Sequence, residues 1–330
     1  MKKIFALLLS AALLVTLLAA CGGGNTTDTD TDTQEPAADA STTQVEEQEP
    51  DTGDASKDDP LNQDEIGEKE LLVVSFGTSY NDSRRETIGA IEKAMQTAFP
   101  DYSVRRAFTS QIIIDHVKDR DGVTIDNVEQ ALERAVDNGV KTLVVQPTHL
   151  MNGLEYKELT DELAKYSDSF EKIAIGDPLL TSDADFEAVM TAITDATKDA
   201  ADGKTAICFM GHGTTADSNS VYSKMQTLLT DKGFNDYYVG TVEATPSLDD
   251  VLAAVQKGSY EKVILRPLMI VAGDHANNDM AGDEDDSWKS TFEKAGYTVD
   301  CQVEGLGQLE AIQQLFVEHA KAAVASAEAE

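Results

Sequence analysis

Cysteine and basic residues are scarce in this chain. Cysteine stands only at positions 21, 208 and 301. Three such distant residues exclude a disulfide framework and a cysteine-rich zinc module. Lysine and arginine total 26 against 60 acids, a formal net charge of −34 over 330 residues. A phosphate backbone needs a basic footprint, so no nucleic-acid partner is expected. Aromatics make up only 6%. The 41% of hydrophobic residues still suffices for a core, so disorder throughout is excluded as well. The length suggests two folded units, or one with appendages.

The one long apolar run, Ile4 to Ala20, follows Lys2 and Lys3 and is broken only by Ser10 and Thr16. It is short for a membrane-spanning helix and reads as an export signal over residues 1–20. It ends Leu18-Ala19-Ala20-Cys21, which resembles the lipobox of bacterial lipoproteins. That resemblance implies lipidation at Cys21 and attachment to the extracytoplasmic face of the cell membrane. Between residues 22 and 70, sixteen acids stand against two lysines, with Thr-Asp repeats from Thr27 to Thr33. Almost no large apolar residue occurs there, so residues 21–69 are expected to form a disordered, self-repelling tether. The folded remainder is acidic too, at −22 for residues 71–330.

From residue 71 short apolar runs alternate with helical periodicity. Strands are expected at 71–76, 103–108, 141–146, 172–175, 205–210, 238–242 and 261–265. Helices are expected at 83–99, 128–138, 154–166, 186–201, 221–232 and 248–257. Continuous apolar strands between helices indicate α/β architecture with parallel sheets covered on both faces. The pattern also repeats. Phe76-Gly77-Thr78 is matched by His212-Gly213-Thr214, Gln146-Pro147 by Arg266-Pro267, and Gly153 by Gly273. Two similar lobes, 70–203 and 204–330, are therefore expected, with a cleft at the carboxyl ends of their strands.

Five histidines are present: His116, His149, His212, His275 and His319. His212 follows the first strand of the second lobe, Glu243 closes its second, and His275 follows its third. Two imidazoles and a carboxylate at one sheet edge suit a divalent cation with open coordination positions. The bland alternative is that Gly211 and Gly213 serve a tight turn in which His212 packs. For His149 two readings stand, lining the cleft or capping a strand end. His116 and His319 fall in helical patterns and read as ordinary helix residues. Cys208 reads as a buried small hydrophobe, and Cys301 has no assigned role. The acidic run Asp283-Glu284-Asp285-Asp286 reads as a solvated loop. Neither glycine turn has phosphate-loop spacing.

Several segments resemble the cobalt chelatase of anaerobic cobalamin synthesis (CbiK type). They are Leu72 to Tyr80, Arg106 to Ser110, Met210 to Gly213, Val242-Glu243, Pro267 to Ala276 with Asn278-Asp279-Met280, and Ser287-Trp288-Lys289. The resemblance covers roughly residues 70–325. It implies a chelatase fold of two Rossmann-like lobes with a tetrapyrrole in the cleft. It implies insertion of Co(II) into sirohydrochlorin by a lyase that needs no organic cofactor, with Fe(II) or Ni(II) as other metals such ligands accept. The family's metal ligands fall on His212, Glu243 and His275, and either histidine can relay the pyrrole protons. The substrate's carboxylates call for local cations, for which Arg106, Arg120 and Arg266 are the candidates. The chain departs from the family in its N-terminus. An exported haem-, tetrapyrrole- or metal-binding lipoprotein on the same fold is the second reading, and iron insertion a third. The oligomeric state stays open, a homo-oligomer included.

Overall fold

The computed structural model describes residues 51–329; the apolar run over 1–20, Cys21 and the Thr-Asp repeats lie outside them. The first sheet contains β1 (Lys69–Ser75), β2 (Ser103–Phe108), β3 (Thr142–Pro147) and β4 (Lys172–Ile175), ordered β2-β1-β3-β4 and parallel throughout. Its helices are α1 (Asn81–Glu86), α2 (Ile88–Ala98), α3 (Gln111–Asp121), α4 (Val128–Asp137), α5 (Leu154–Ala164) and α6 (Asp183–Thr197). The second sheet contains β5 (Thr205–Gly211), β6 (Tyr237–Thr241), β7 (Lys262–Pro267) and β8 (Thr298–Cys301), in the same relative order, β6-β5-β7-β8. Its helices are α7 (Ser220–Asp231), α8 (Leu248–Val255), α9 (Trp288–Lys294) and α10 (Glu310–Ala329). Among the described residues no helix is long and apolar enough to cross a membrane.

The central strands are apolar on both faces because both faces are covered. In β1, Leu71 and Val73 enter one core cluster while Leu72 and Val74 enter another. In β5, Ile207 and Phe209 share a cluster with Leu71 and Val73, and Ala206, Cys208 and Met210 turn to the far side. One core is thus common to both sheets. The registers repeat as well: Val74 pairs with Pro147 and Met210 with Pro267. The proline match read from the sequence is a match of strand register. Each proline closes its strand, where a missing N–H costs nothing.

Three expectations change. The helix expected over 83–99 is two helices, parted at Thr87, whose hydroxyl donates to the Ser83 carbonyl. The chain boundary at 203/204 is not a packing boundary. Ile312, Phe316, Val317 and Ala320 of α10 enter the shared core beside Leu71 and Val144, and Lys172 Nζ donates to the Ala327 carbonyl at 2.8 Å. His319 seals that docking, with Nε2 3.0 Å from Asp185 Oδ1 near the start of α6.

Residues 51–68, which composition assigns to a disordered tether, are folded onto the first lobe. Leu61 is buried, and its carbonyl accepts from the Arg106 amide. Asp58 accepts from Arg106 Nη1 at 2.7 Å and Arg84 Nε at 2.6 Å. Glu92 takes the rest of the Arg106 fork at 2.7 and 2.8 Å. Two arginines and two carboxylates therefore balance out of water, the condition under which buried charges are tolerated. Composition does not reveal one acid that serves as a counter-ion.

Candidate metal centre

His212, Glu243 and His275 come together at the carboxyl edge of the second sheet. One ligand atom from each lies within 4.8 Å of the others. Two of the three are set by the sheet ladder itself. Val242 N–H donates to the Gly211 carbonyl and Glu243 N–H to that of His212, each at 2.9 Å. The β5–β6 pairing therefore runs one step past the strands and seats the first two ligands side by side. Gly213 then turns the chain away at φ +89°; a Cβ there would lie 2.9 Å from both the Ala244 amide nitrogen and its Cβ. The tight turn and the outward-facing ring of His212 are two aspects of one structure.

His275 opens a π-helical turn, Ala276–Met280. Ala276 and Met280 are buried against Trp288 and fix the turn to the core. Asn277 Nδ2 donates to the Gly273 carbonyl at 2.8 Å, and Asn278 Nδ2 to Asp274 Oδ1 at 2.7 Å. Such turns recur at functional sites because they aim a side chain that a regular helix would not.

The hydrogen bonds assign the imidazole roles. His212 Nδ1 lies 2.7 Å from the Gly213 carbonyl, an acceptor only, so Nδ1 carries the proton. His275 Nδ1 lies 2.7 Å from Asp279 Oδ2. Each ring is left with an Nε2 lone pair for a cation. The two rings meet edge to face, with centroids 4.6 Å apart. His212 Nε2 and Glu243 Oε1 are 4.0 Å apart, too far for a hydrogen bond and about the span of an ion bridging two ligands. The side chains of His212, Glu243 and His275 are 48%, 57% and 33% exposed. That openness leaves room for an incoming ligand and for release of the ion.

The first sheet presents its own carboxyl edge to this site. Ser83 Oγ accepts from the Ala272 amide at 3.0 Å. Thr78 Oγ1 lies 3.0 Å from where a Gly273 Cβ would stand, and Ser218 Oγ lies 3.6 Å from the equivalent point on Gly153. Loops at the two carboxyl edges therefore approach each other, Gly273 among them two residues before His275.

The other sequence candidates fall elsewhere. Arg106 is buried against Asp58 and Glu92 and cannot reach a ligand in the cleft, which corrects its assignment. Arg266 is 5% exposed and donates to Gln302 and Glu304 at 3.0 and 2.8 Å, so it too is taken up inside the second lobe. Arg120 stands at the first lobe's carboxyl edge, donating to the Ser79 carbonyl and to Asp121. His149 is buried with no partner for either nitrogen, and burial pushes it down to about 4. It is a neutral interior ring. His116 is exposed on α3. Cys208 is wholly buried, and burial pushes its thiol up; Cys301 is half-buried and raised to about 11. Both are free and unreactive. Asp283 and Asp285 lie exposed in ion pairs with Lys289 and Lys294, as a solvated loop would. Asp279 received no role from the sequence reading. Its spacing of four from His275 on a helical turn was the available signal.

The family model described as "Cobalt chelatase (CbiK)" matches residues 69–325. A sirohydrochlorin cobaltochelatase of Salmonella typhimurium is 38% identical over 251 residues, 76% of this chain and 94% of that protein. The sirohydrochlorin cobaltochelatase CbiKC of Nitratidesulfovibrio vulgaris is 30% identical over 260 residues, 78% and 91% respectively. Among solved structures, SirB from Bacillus subtilis with Fe3+ superposes with a TM-score of 0.57 at 14% identity, covering 80% of this chain and 98% of that one. At that identity the likeness speaks for the fold.

Proposed function

The chain belongs to the cobalt chelatase family, and on that premise we propose that it inserts Co(II) into sirohydrochlorin while tethered outside the cytoplasmic membrane through Cys21. The observation that carries the reading is the convergence of His212, Glu243 and His275 within 4.8 Å at an open sheet edge. The Nε2 atoms of His212 and His275 and a Glu243 carboxylate oxygen hold the incoming ion. Three protein ligands leave positions free for pyrrole nitrogens, so the ion can be passed on. The tetrapyrrole must shed its inner N–H protons as it takes the metal. An imidazole whose Nε2 has just released the ion is placed to accept one. The transfer involves no change of oxidation state.

The donor set favours cobalt no more than Fe(II) or Ni(II), since imidazole and carboxylate accept all of them. Family membership supports cobalt. Export and lipid anchoring rest on Lys2 and Lys3, the apolar run to Ala20, and Leu18-Ala19-Ala20-Cys21. A Cys21→Ser variant that leaves the membrane fraction supports the anchor.

The function is tested with the purified full chain and sirohydrochlorin, with Co(II), Fe(II) and Ni(II) offered in turn. Protein-dependent conversion with Co(II) over many turnovers supports the proposal. Faster turnover with Fe(II) moves it to iron insertion. Stoichiometric binding of tetrapyrrole or metal without turnover moves it to an exported binding protein.

A further inference from the structure

The family match begins at residue 69, so the strap formed by residues 51–68 lies outside it. The strap's far end comes to rest beside the metal centre. Asp51, Thr52 and Gly53 face Ala272, Asn277 and Gln308 across a cavity of about 340 Å³. Asn277 belongs to the π-helical turn and stands between His275 and Asp279.

That turn needs support from outside its own sheet. His212 and Glu243 are seated by the β5–β6 ladder. His275 stands eight residues past Pro267, where β7 ends, on a loop that no ladder holds. Its place depends on what packs against residues 268–274.

Helix α1 lies between strap and loop. The Asp82 amide donates to the Thr52 carbonyl at 2.9 Å, and Asn81 Nδ2 donates to the Gly53 carbonyl at 3.1 Å. Arg84 is fully buried, and the carboxylate it is bonded to, Asp58, comes from the strap. A buried guanidinium keeps its place only with such a partner. Arg84 Nη1 then donates to the Thr78 carbonyl at 3.0 Å, and Nη2 to Asn81 Oδ1. One strap carboxylate therefore settles both α1 and the loop before it.

The same helix reaches the second lobe. Ser83 Oγ accepts from the Ala272 amide at 3.0 Å, and Gln308 Nε2 donates to Glu86 at 2.8 Å. Thr78 Oγ1 packs against Gly273, whose carbonyl accepts from Asn277 Nδ2. Ala272 and Gly273 stand three and two residues before His275. Adjacent residues of one short helix, Ser83 and Arg84, thus bond the His275 loop and the strap.

We infer that the strap braces the metal centre. Asp58 holds Arg84, Arg84 holds α1, and Ser83 of α1 holds the Ala272 amide that sets where His275 stands. Asp58 and Ser83 are positioning residues, acting on the ion through His275. Such coupling passes through a continuous run of hydrogen bonds and packed groups. The inference rests on the reading of His212, Glu243 and His275 as the cobalt site, and it adds to that site a control by a segment outside the family match.

The test reads metal affinity and stability side by side. Full-chain wild type, Ser83→Ala, Ser83→Thr, Asp58→Asn and the Ser83→Ala/Asp58→Asn double variant are titrated with Co(II) alone, and each is melted without metal. Ser83→Ala should bind Co(II) about two- to tenfold more weakly, the loss of one hydrogen bond, while melting close to wild type. Ser83→Thr, which keeps the hydroxyl, should recover the affinity. Asp58→Asn should also bind Co(II) more weakly. The double variant should lose no more affinity than the weaker single variant, because both changes act on one path. Unchanged Co(II) affinity in Ser83→Ala, whatever its melting temperature, overturns the brace. Equal losses in Ser83→Ala and Ser83→Thr overturn it too, since the hydroxyl would then have no part. Losses that multiply in the double variant overturn the path from strap to loop. Should Asp58→Asn fail to fold, Asp58→Glu, which keeps the charge on a longer arm, takes its place in the cycle. Wild type that binds no Co(II) removes the cobalt site and the brace with it. Wild type whose Co(II) affinity follows the brace, yet which inserts no cobalt into sirohydrochlorin, leaves the brace standing and removes the function.

Discussion

Asp279 Oδ2 sits 2.7 Å from His275 Nδ1, four residues on along the π-helical turn. The carboxylate fixes the ring's tautomer and makes Nε2 a better donor to a cation. Asp279→Asn keeps the shape but removes the charge. Co(II) affinity should fall about 10–100-fold, with kcat/KM falling alongside. Asp279→Glu should recover part of the loss. Equal affinity in wild type and Asp279→Asn, by Co(II) titration, would show that the pair is incidental.

Gly213 lies between two ligands, and its backbone at φ +89° leaves no space for a Cβ. Gly213→Ala should cost roughly 1–3 kcal/mol of stability from strain. It should also reduce Co(II) binding by displacing His212 from Glu243. Urea unfolding reads the first effect and metal titration the second. A variant that is destabilised yet binds Co(II) normally would show that the turn does not set the ligand spacing.

Asp58 shows where the acidic segment stops being a tether. Burial by itself would raise its carboxyl, but hydrogen bonds from Arg106 and Arg84 hold it below the usual carboxylate range. Its contribution is therefore present at neutral pH and is lost as pH falls through that depressed value. Asp58→Ala takes the bonded carboxylate from buried Arg84 and leaves Arg106 with Glu92 alone, and should cost about 3–5 kcal/mol. A chain starting at residue 51 should melt like the full chain, and one starting at residue 70 should melt well below it. Identical melting of the two truncations would contradict the assignment.

Glu70 gives a stability profile of opposite sign. It is fully buried with no hydrogen-bond partner, and Arg105 is 3.7 Å away. Burial raises it from an ordinary 4.5 to about 7, with Arg105 only partly offsetting the rise. The folded chain thus holds a proton that the unfolded chain has released. Its stabilising effect is complete below 4.5 and fades as pH rises to about 7. Glu70→Gln should match wild type near pH 4 and exceed it by up to about 3 kcal/mol at pH 8. Urea midpoints at both pH values check this, and a constant difference would contradict it.

Much of the fold, and the convergence of His212, Glu243 and His275, were readable from the residues. Buried parallel strands announce themselves as unbroken apolar runs, and Leu71 to Val74 and Ala206 to Met210 are such runs. His212, Glu243 and His275 could be placed on one edge because a parallel sheet sends every strand end the same way. Contacts between parts distant in sequence were not readable. Nothing local tells α10 to leave the second lobe and cover β3 and β4. Nor does anything in an acid-rich stretch single out Asp58 as the partner of Arg84 and Arg106. The arginine candidates failed for that reason. Sequence offers their charge, whereas Glu92 and Asp58 had already taken up Arg106, and Gln302 with Glu304 had taken up Arg266.

The central claim is that His212, Glu243 and His275 pass Co(II) into the ring. The most direct test counts turnovers of cobalt insertion into sirohydrochlorin by the full chain beside a His212→Ala/His275→Ala variant, with tetrapyrrole binding measured on both. The account predicts many turnovers for wild type. It predicts none above the uncatalysed rate for the variant, which still binds the macrocycle. Insertion by the variant at the wild-type rate would contradict it.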